Sequence, residues 1–166
     1  SSLDSMDKFS MRLHTAGENA SALIYACALA DYQAINSDKY DIVAVTGNSM
    51  GWYIALAVSQ ALNQANAIKL INTMGSMMSE GVIGGQLIYP IVDDLWHIDP
   101  KKEKLVFDAL AKVTRESSHK VYVSIYLGGY IVFGGEQAGL KALADLLPMV
   151  QDRYPMNLYN HAAFHT

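Results

Sequence analysis

The sequence predicts an α/β protein, a parallel-sheet core into which a smaller ferredoxin-like unit is inserted. Three observations predict it. A β-branched run, Tyr40-Asp41-Ile42-Val43-Ala44-Val45, leads into Thr46-Gly47-Asn48-Ser49-Met50-Gly51 and then directly into helical spacing. A glycine-rich joint, Gly81 to Gly85, interrupts the chain. Beyond the joint, strand and helix patterns alternate in the order β-α-β-β-α-β.

Asn19 to Ala34 is rich in small and apolar residues and free of Gly and Pro, which predicts a helix packed on most of its circumference. Tyr40 to Val45 has the composition of a buried parallel strand. Helical spacing resumes over Trp52 to Leu62 and over Ala65 to Met78, where Ile68, Leu70, Ile71, Met74 and Met78 share a stripe. Past the joint, Gln86 to Val92 and Lys120 to Leu127 read as strands. Lys101 to Glu116 between them reads as an amphipathic helix with Leu105, Val106, Leu110 and Val113 inward. Gly128-Gly129 is a hairpin signal that turns the chain back into Tyr130 to Phe133. Glu136 to Leu147 is a second helix, with Leu140, Leu143, Leu146 and Leu147 inward, and Tyr154 to Tyr159 is a closing strand. The core thus takes residues 1–84 and 157–166, and the inserted unit takes 85–156.

With 166 residues, 51% of them hydrophobic, and four prolines, the chain is globular rather than disordered or fibrous. Its net charge of -4 and scattered Lys and Arg leave no basic face for nucleic acid. Cys27 is the only cysteine, which excludes an intrachain disulfide and a paired-cysteine metal site and fits a cytoplasmic protein. The longest apolar stretch, Ala20 to Ala30, falls well short of the roughly 20 residues that span a membrane. The N-terminus has no basic and apolar pattern that would indicate export.

Gly47-Asn48-Ser49-Met50-Gly51 is the segment that carries chemistry. A serine hydroxyl is a weak nucleophile unless it stands on a tight turn beside a base, facing amide donors that receive a developing oxyanion. In a G-x-S-x-G elbow between strand and helix, the two glycines remove side chains that would collide. The helix start aims its free N–H groups, Met50 first, at the site. The plainer alternative is a structural glycine-rich turn; the strand before the segment and the helix after it favour the nucleophile. The base is a histidine from among His14, His97, His119, His161 and His165. The first three fall in irregular or loop positions. His161 and His165 follow the last strand of the inserted unit, where the chain re-enters the core, and spacing does not separate these two.

Three segments in order, Gly47-Asn48-Ser49-Met50-Gly51-Trp52-Tyr53, Met74-Gly75-Ser76-Met77-Met78 and Ala163-Phe164-His165-Thr166, are similar to G-H-S-x-G-E-Y, R-G-x-x-M and P/A-F-H-S/T. From about Ala20 on, the chain resembles the malonyl-CoA:acyl carrier protein transacylases and the acyltransferase domains of fatty acid and polyketide synthases. The resemblance implies an α/β-hydrolase-like core with a ferredoxin-like subdomain between serine and histidine. It implies a ping-pong reaction in which Ser49, with His165 as base and then acid, takes an acyl group from coenzyme A. The acyl group then passes to the phosphopantetheine thiol of an acyl carrier protein. No metal and no bound cofactor are implied; acyl-CoA is a substrate. His165 is thereby preferred over His161, and Met50 supplies one oxyanion N–H. The second donor of the family comes from a G-Q-G segment that this sequence does not contain, and the carbonyl that orients its histidine would lie beyond Thr166. The expectation is therefore a partial core, inactive as an isolated fragment.

Departures from the family pattern bear on the substrate. Met74 stands where the family arginine holds a malonyl carboxylate, so an uncharged acyl group, acetyl or longer, is expected. Asn48 replaces a histidine and Trp52 a glutamate beside the nucleophile. Tyr126, in a segment without the family's asparagines, is a candidate for lining the acyl pocket, with a plain strand residue as the alternative. An acyl-thioester hydrolase on the same scaffold and an inactive carrier-protein docking domain are the alternative functions. A lipase-type triad would need an acid on a core strand, and Asp93, Asp94, Asp99, Asp145 and Asp152 all fall in the inserted unit.

Overall fold

The computed structural model describes residues 5–79, 83–116, 118–158 and 161–165. The chain divides into two compact units, Ser1–Gly81 and Val82–Thr166.

The first unit is helical. A short α1 (Met11–His14) precedes α2 (Gly17–Gln33), α3 (Met50–Val58) and α4 (Gln64–Ser79). Tyr25 of α2 and Ala67 and Ile71 of α4 form its buried centre, with Leu29, Tyr53, Ile54, Ala57 and Leu62 packed around them. α3 ends four residues before the expected Leu62, because the chain turns at Ser59 and reaches a left-handed conformation at Gln60. Asn63 then starts α4 by accepting the Asn66 N–H on its side-chain oxygen at 2.9 Å.

Two expectations for this unit need correction. α2 buries only Ser21 and Tyr25, while Leu23 and Ile24 stand half exposed, so one face is packed rather than most of the circumference. Its apolar residues run all round the helix, but within this unit α4 is its main partner, with α3 and α1 touching it less. The run Tyr40 to Val45 forms no strand, and Val43 is 89% exposed. A strand exists only by pairing, and no other strand occurs among the described residues of this unit.

The α2–α4 crossing depends on glycine. A Cβ on Gly75 would stand 2.5 Å from the Gly17 carbonyl oxygen and 2.9 Å from the hydroxyl oxygen of buried Ser21. Alanine at a helix interior ordinarily gains about 1 kcal/mol over glycine. Here overpacking reverses the sign, and Gly75→Ala is expected to destabilise the protein by roughly 1–3 kcal/mol. Thermal unfolding followed by circular dichroism reads the effect. A melting temperature at or above that of the parent would show that the two helices separate freely.

The second unit has the β-α-β-β-α-β order read from the sequence: β1 (Gly85–Pro90), α5 (Pro100–Glu116), β2 (Val121–Leu127), β3 (Tyr130–Gly135), α6 (Gln137–Leu146) and β4 (Met156–Asn157). The strands form one antiparallel sheet in the order β2-β3-β1-β4. Gly128 and Gly129 both have positive φ, 50° and 107°, which is what a two-residue hairpin with the twist of its strands demands. The core gathers Leu87 and Tyr89 of β1, Val106 and Val113 of α5, Ile131 and Phe133 of β3, and Leu140 and Leu143 of α6. Leu105 and Leu146, expected inward, are partly exposed; Ala109 and Leu147 are buried. The closing strand is shorter than Tyr154 to Tyr159, and Tyr159 lies outside the described residues.

After β1 the loop is organised by Asp93. Its carboxylate accepts the N–H groups of Leu95 and His97, each at 2.9 Å. The His97 N–H, followed by the Leu95 N–H and the nearby His97 and Lys102, holds this carboxyl below the usual carboxylate range. Asp99 accepts the Lys101 N–H at 2.9 Å and starts α5. Among the described residues, no helix is long and apolar enough to cross a membrane.

Candidate active site

Ser49 sits at φ 53°, ψ −118°, a combination that side-chain-bearing residues rarely adopt, immediately before α3. The chain reverses there. The Gly51 N–H bonds the Asn48 carbonyl at 2.9 Å and the Trp52 N–H bonds the Ser49 carbonyl at 3.1 Å, closing the first turn. The reversal brings Gly47 so close to Gly51 that a Cβ on Gly47 would overlap the Gly51 carbonyl and stand 2.7 Å from its Cα. A Cβ on Gly51 would meet nothing within 4 Å. Only the first glycine of the motif is thus required by sterics.

The Ser49 side chain makes no capping bond to α3, although it occupies the N-cap position. Met50 is the first helical residue, so its N–H has no partner within the helix and projects from the positive end of the helix dipole. This arrangement, a strained serine beside a helix-start N–H, suits attack on a carbonyl followed by stabilisation of an oxyanion. Asn48 is exposed, Ser49 and Met50 are half buried, and Trp52 is 58% exposed on the first turn of α3. Met74 lies half buried in α4, which packs on α3. These five positions all belong to the first unit.

Tyr126 and His165 belong to the second. Of the histidines, His14 contacts the Ser10 backbone and the Phe9 ring, His97 stands 3.7 Å from Asp93, and His119 stands 3.6 Å from Glu136. His161 and His165 are exposed in the segment 161–165, where His165 adopts a positive φ of 60°. That segment is tied to the sheet. The Ala163 N–H bonds the Ile83 carbonyl at 2.9 Å, and the Phe164 carbonyl accepts the Ser124 hydroxyl at 2.7 Å and the Gln86 side-chain amide at 3.2 Å.

Sequence reasoning missed Ser124 and Gln86. Each is a polar residue inside an otherwise apolar strand pattern, and Gln86 is only 4% exposed; that intrusion was the available signal. A bulge explains the placement of Ser124. Val123 pairs with Phe133 and Ile125 with Val132, so Ser124 is an extra residue and the alternation of β2 slips by one. Tyr126 consequently pairs with Ile131 of the helix-side core, whereas simple alternation would put it on the same face as Ser124.

Neither a family model nor a curated protein sequence matches the chain. Solved structures do. Malonyl-CoA:ACP transacylase from Synechocystis sp. PCC 6803 superposes with a TM-score of 0.71 at 18% identity, over 92% of this chain and 47% of that one. The fold is that of the malonyl-CoA:ACP transacylases. The enzyme from Streptococcus pneumoniae gives 0.66 at 23% identity over 92% of this chain and 48% of its own, and the acyl transferase domain of ZmaA gives 0.68 at 18% over 96% and 35%. The chain therefore spans about half the length, or less, of the transacylase-fold proteins it matches. At these identities the likeness is one of fold.

Proposed function

We propose that Ser49 is the nucleophile, and His165 the base, of an acyltransferase that moves an acyl group from coenzyme A to the phosphopantetheine arm of an acyl carrier protein. The observation that carries this reading is the backbone of Ser49, a strained left-handed elbow locked by the Gly47–Gly51 contact at a helix start. The transacylase fold supports it, and the solved neighbours are named as transacylases and an acyl transferase domain. In the same reading, the first unit belongs to an α/β-hydrolase-like core, the second unit is a ferredoxin-like subdomain, and the protein is cytoplasmic.

The chemistry proceeds in two balanced halves. The Ser49 Oγ attacks the thioester carbonyl as its proton passes to the His165 ring, and the oxyanion receives the Met50 N–H. Collapse breaks the carbon–sulfur bond, and the coenzyme A thiolate takes the proton from His165, leaving an acyl-serine. The carrier thiol then gives its proton to His165 and attacks the ester, and the Ser49 Oγ leaves with that proton. Asn48, Trp52 and Met74 flank the acyl group. None of them offers a cation to a free carboxylate, so the preferred acyl group is uncharged. Tyr126, on the helix-side face of β2, has no part in this reading. A lipase-type triad is disfavoured because Asp93 and Asp99 accept backbone N–H groups and Asp145 pairs with Lys141 at 2.7 Å.

Intact-mass spectrometry of the full-length protein after incubation with acetyl-, butyryl- and malonyl-CoA tests the proposal, with peptide mapping of the adduct. An acetyl or butyryl adduct on Ser49 that moves to added carrier protein is the expected result. Loss of the adduct to free acid, with carrier present, would instead identify a thioester hydrolase. No adduct with any donor would leave only a docking role.

A further inference from the structure

We propose that Ser124 and Gln86 form a clamp on the Phe164 carbonyl that positions His165 for catalysis. This rests on the reading of His165 as the base. Two side chains distant in sequence converge on one oxygen: the Ser124 hydroxyl donates at 2.7 Å and the Gln86 side-chain amide at 3.2 Å. A carbonyl oxygen has two lone pairs, so both bonds form at once and saturate it. The Phe164 oxygen is rigidly coplanar with the His165 nitrogen and Cα. Fixing that oxygen fixes the peptide plane from which His165 projects.

His165 needs such support. Its φ of 60° is uncommon for a residue with a side chain and persists only where the surroundings enforce it. Two backbone bonds also hold this segment, Ala163 N–H to the Ile83 carbonyl and Phe164 N–H to the Ala162 carbonyl, both N-terminal to the plane in question. Both strands contribute to the contact. On β2, the bulge inserts Ser124 between Val123, paired with Phe133, and Ile125, paired with Val132; bulges re-aim side chains in this way. On β1, Gln86 is buried at 4% exposure in a strand whose neighbour Leu87 is core, a costly place for an amide without a partner. Its amide nitrogen finds that partner in Phe164.

Single-turnover acylation of Ser49 by acetyl-CoA in the full-length protein, measured against pH, tests the clamp. Ser124→Ala is expected to acylate about tenfold more slowly and Ser124→Ala with Gln86→Met about a hundredfold more slowly, as misplacement of a catalytic group does. The acyl-CoA concentration at half-maximal rate should stay within twofold, the acid limb of the pH profile should move, and Ser124→Thr should restore the rate. Unchanged rate and pH profile in Ser124→Ala would overturn the proposal. So would equal losses in Ser124→Ala and Ser124→Thr with a fall in melting temperature, because that pattern marks a merely structural role. His165→Ala separates the clamp from the reading beneath it. If that variant acylates like the parent, the base assignment and the clamp both fall; if it is inactive while Ser124→Ala is unimpaired, only the clamp falls.

Discussion

Gly47→Ala is expected to slow acylation of Ser49 at least a hundredfold, while Gly51→Ala stays within a fewfold of the parent. The two glycines occupy equivalent places in the motif, but their surroundings differ. An added methyl at Gly47 would overlap the Gly51 carbonyl, whereas one at Gly51 would enter open space. Backbone cannot move aside as a flexible side chain does, so Gly47→Ala must open the turn between residues 47 and 51. Opening the turn releases Ser49 from φ 53°, ψ −118° and displaces its hydroxyl. Displacements of about 1 Å at a reacting group cost on the order of a hundredfold in rate. Gly51→Ala instead gains helix propensity of about 1 kcal/mol at the second residue of α3. Acyl-adduct formation followed by mass spectrometry, with circular dichroism to confirm folding, measures both. Comparable rates for the two variants would show that the Gly47–Gly51 contact does not hold the nucleophile.

The elements of the second unit were legible because each carries its own periodicity: Val106 and Val113 on α5, Leu140 and Leu143 on α6, and a Gly-Gly turn whose residues both require positive φ. Legibility failed where a feature depends on distant partners. Tyr40 to Val45 has strand composition, yet pairing is a property of two segments, and in the first unit this run stays outside any strand and exposed. α2 is apolar all round, which says that it tolerates burial, not which faces are covered. The same limit governs the candidate site. The G-x-S-x-G spacing pointed to Ser49, whose backbone takes the rare combination φ 53°, ψ −118°. The β2 bulge was invisible because alternation assumes a constant period of two, and one extra residue at Ser124 separates it from Tyr126. The interaction between Phe164 and Gln86 spans 78 positions, beyond the reach of any local pattern.

Met74→Arg is expected to raise the ratio of malonyl to acetyl adducts on Ser49 by about ten- to a hundredfold. A malonyl group brings a carboxylate, and enclosing it without a counter-charge forfeits hydration that nothing repays. Hydrogen bonds to a charged group contribute roughly 1.5–3 kcal/mol, which corresponds to the range given. Met74 is half buried, one residue before the glycine that meets α2, so an arginine there can lay its stem along the helix and keep its guanidinium in water, where, in the proposed reading, it reaches the acyl group. The geometry of the cation separates recognition from mere attraction. An arginine fork grips a carboxylate through two parallel N–H donors, whereas a lysine offers a single mobile charge. Met74→Lys should therefore give a smaller gain, and Met74→Leu none. Competition between malonyl-CoA and acetyl-CoA at equal concentration, read as the mass of the adduct, distinguishes the three. A parent protein that already carries mostly malonyl, or an arginine variant that behaves like the leucine one, would remove position 74 from the account of substrate choice and return it to the packing of α4.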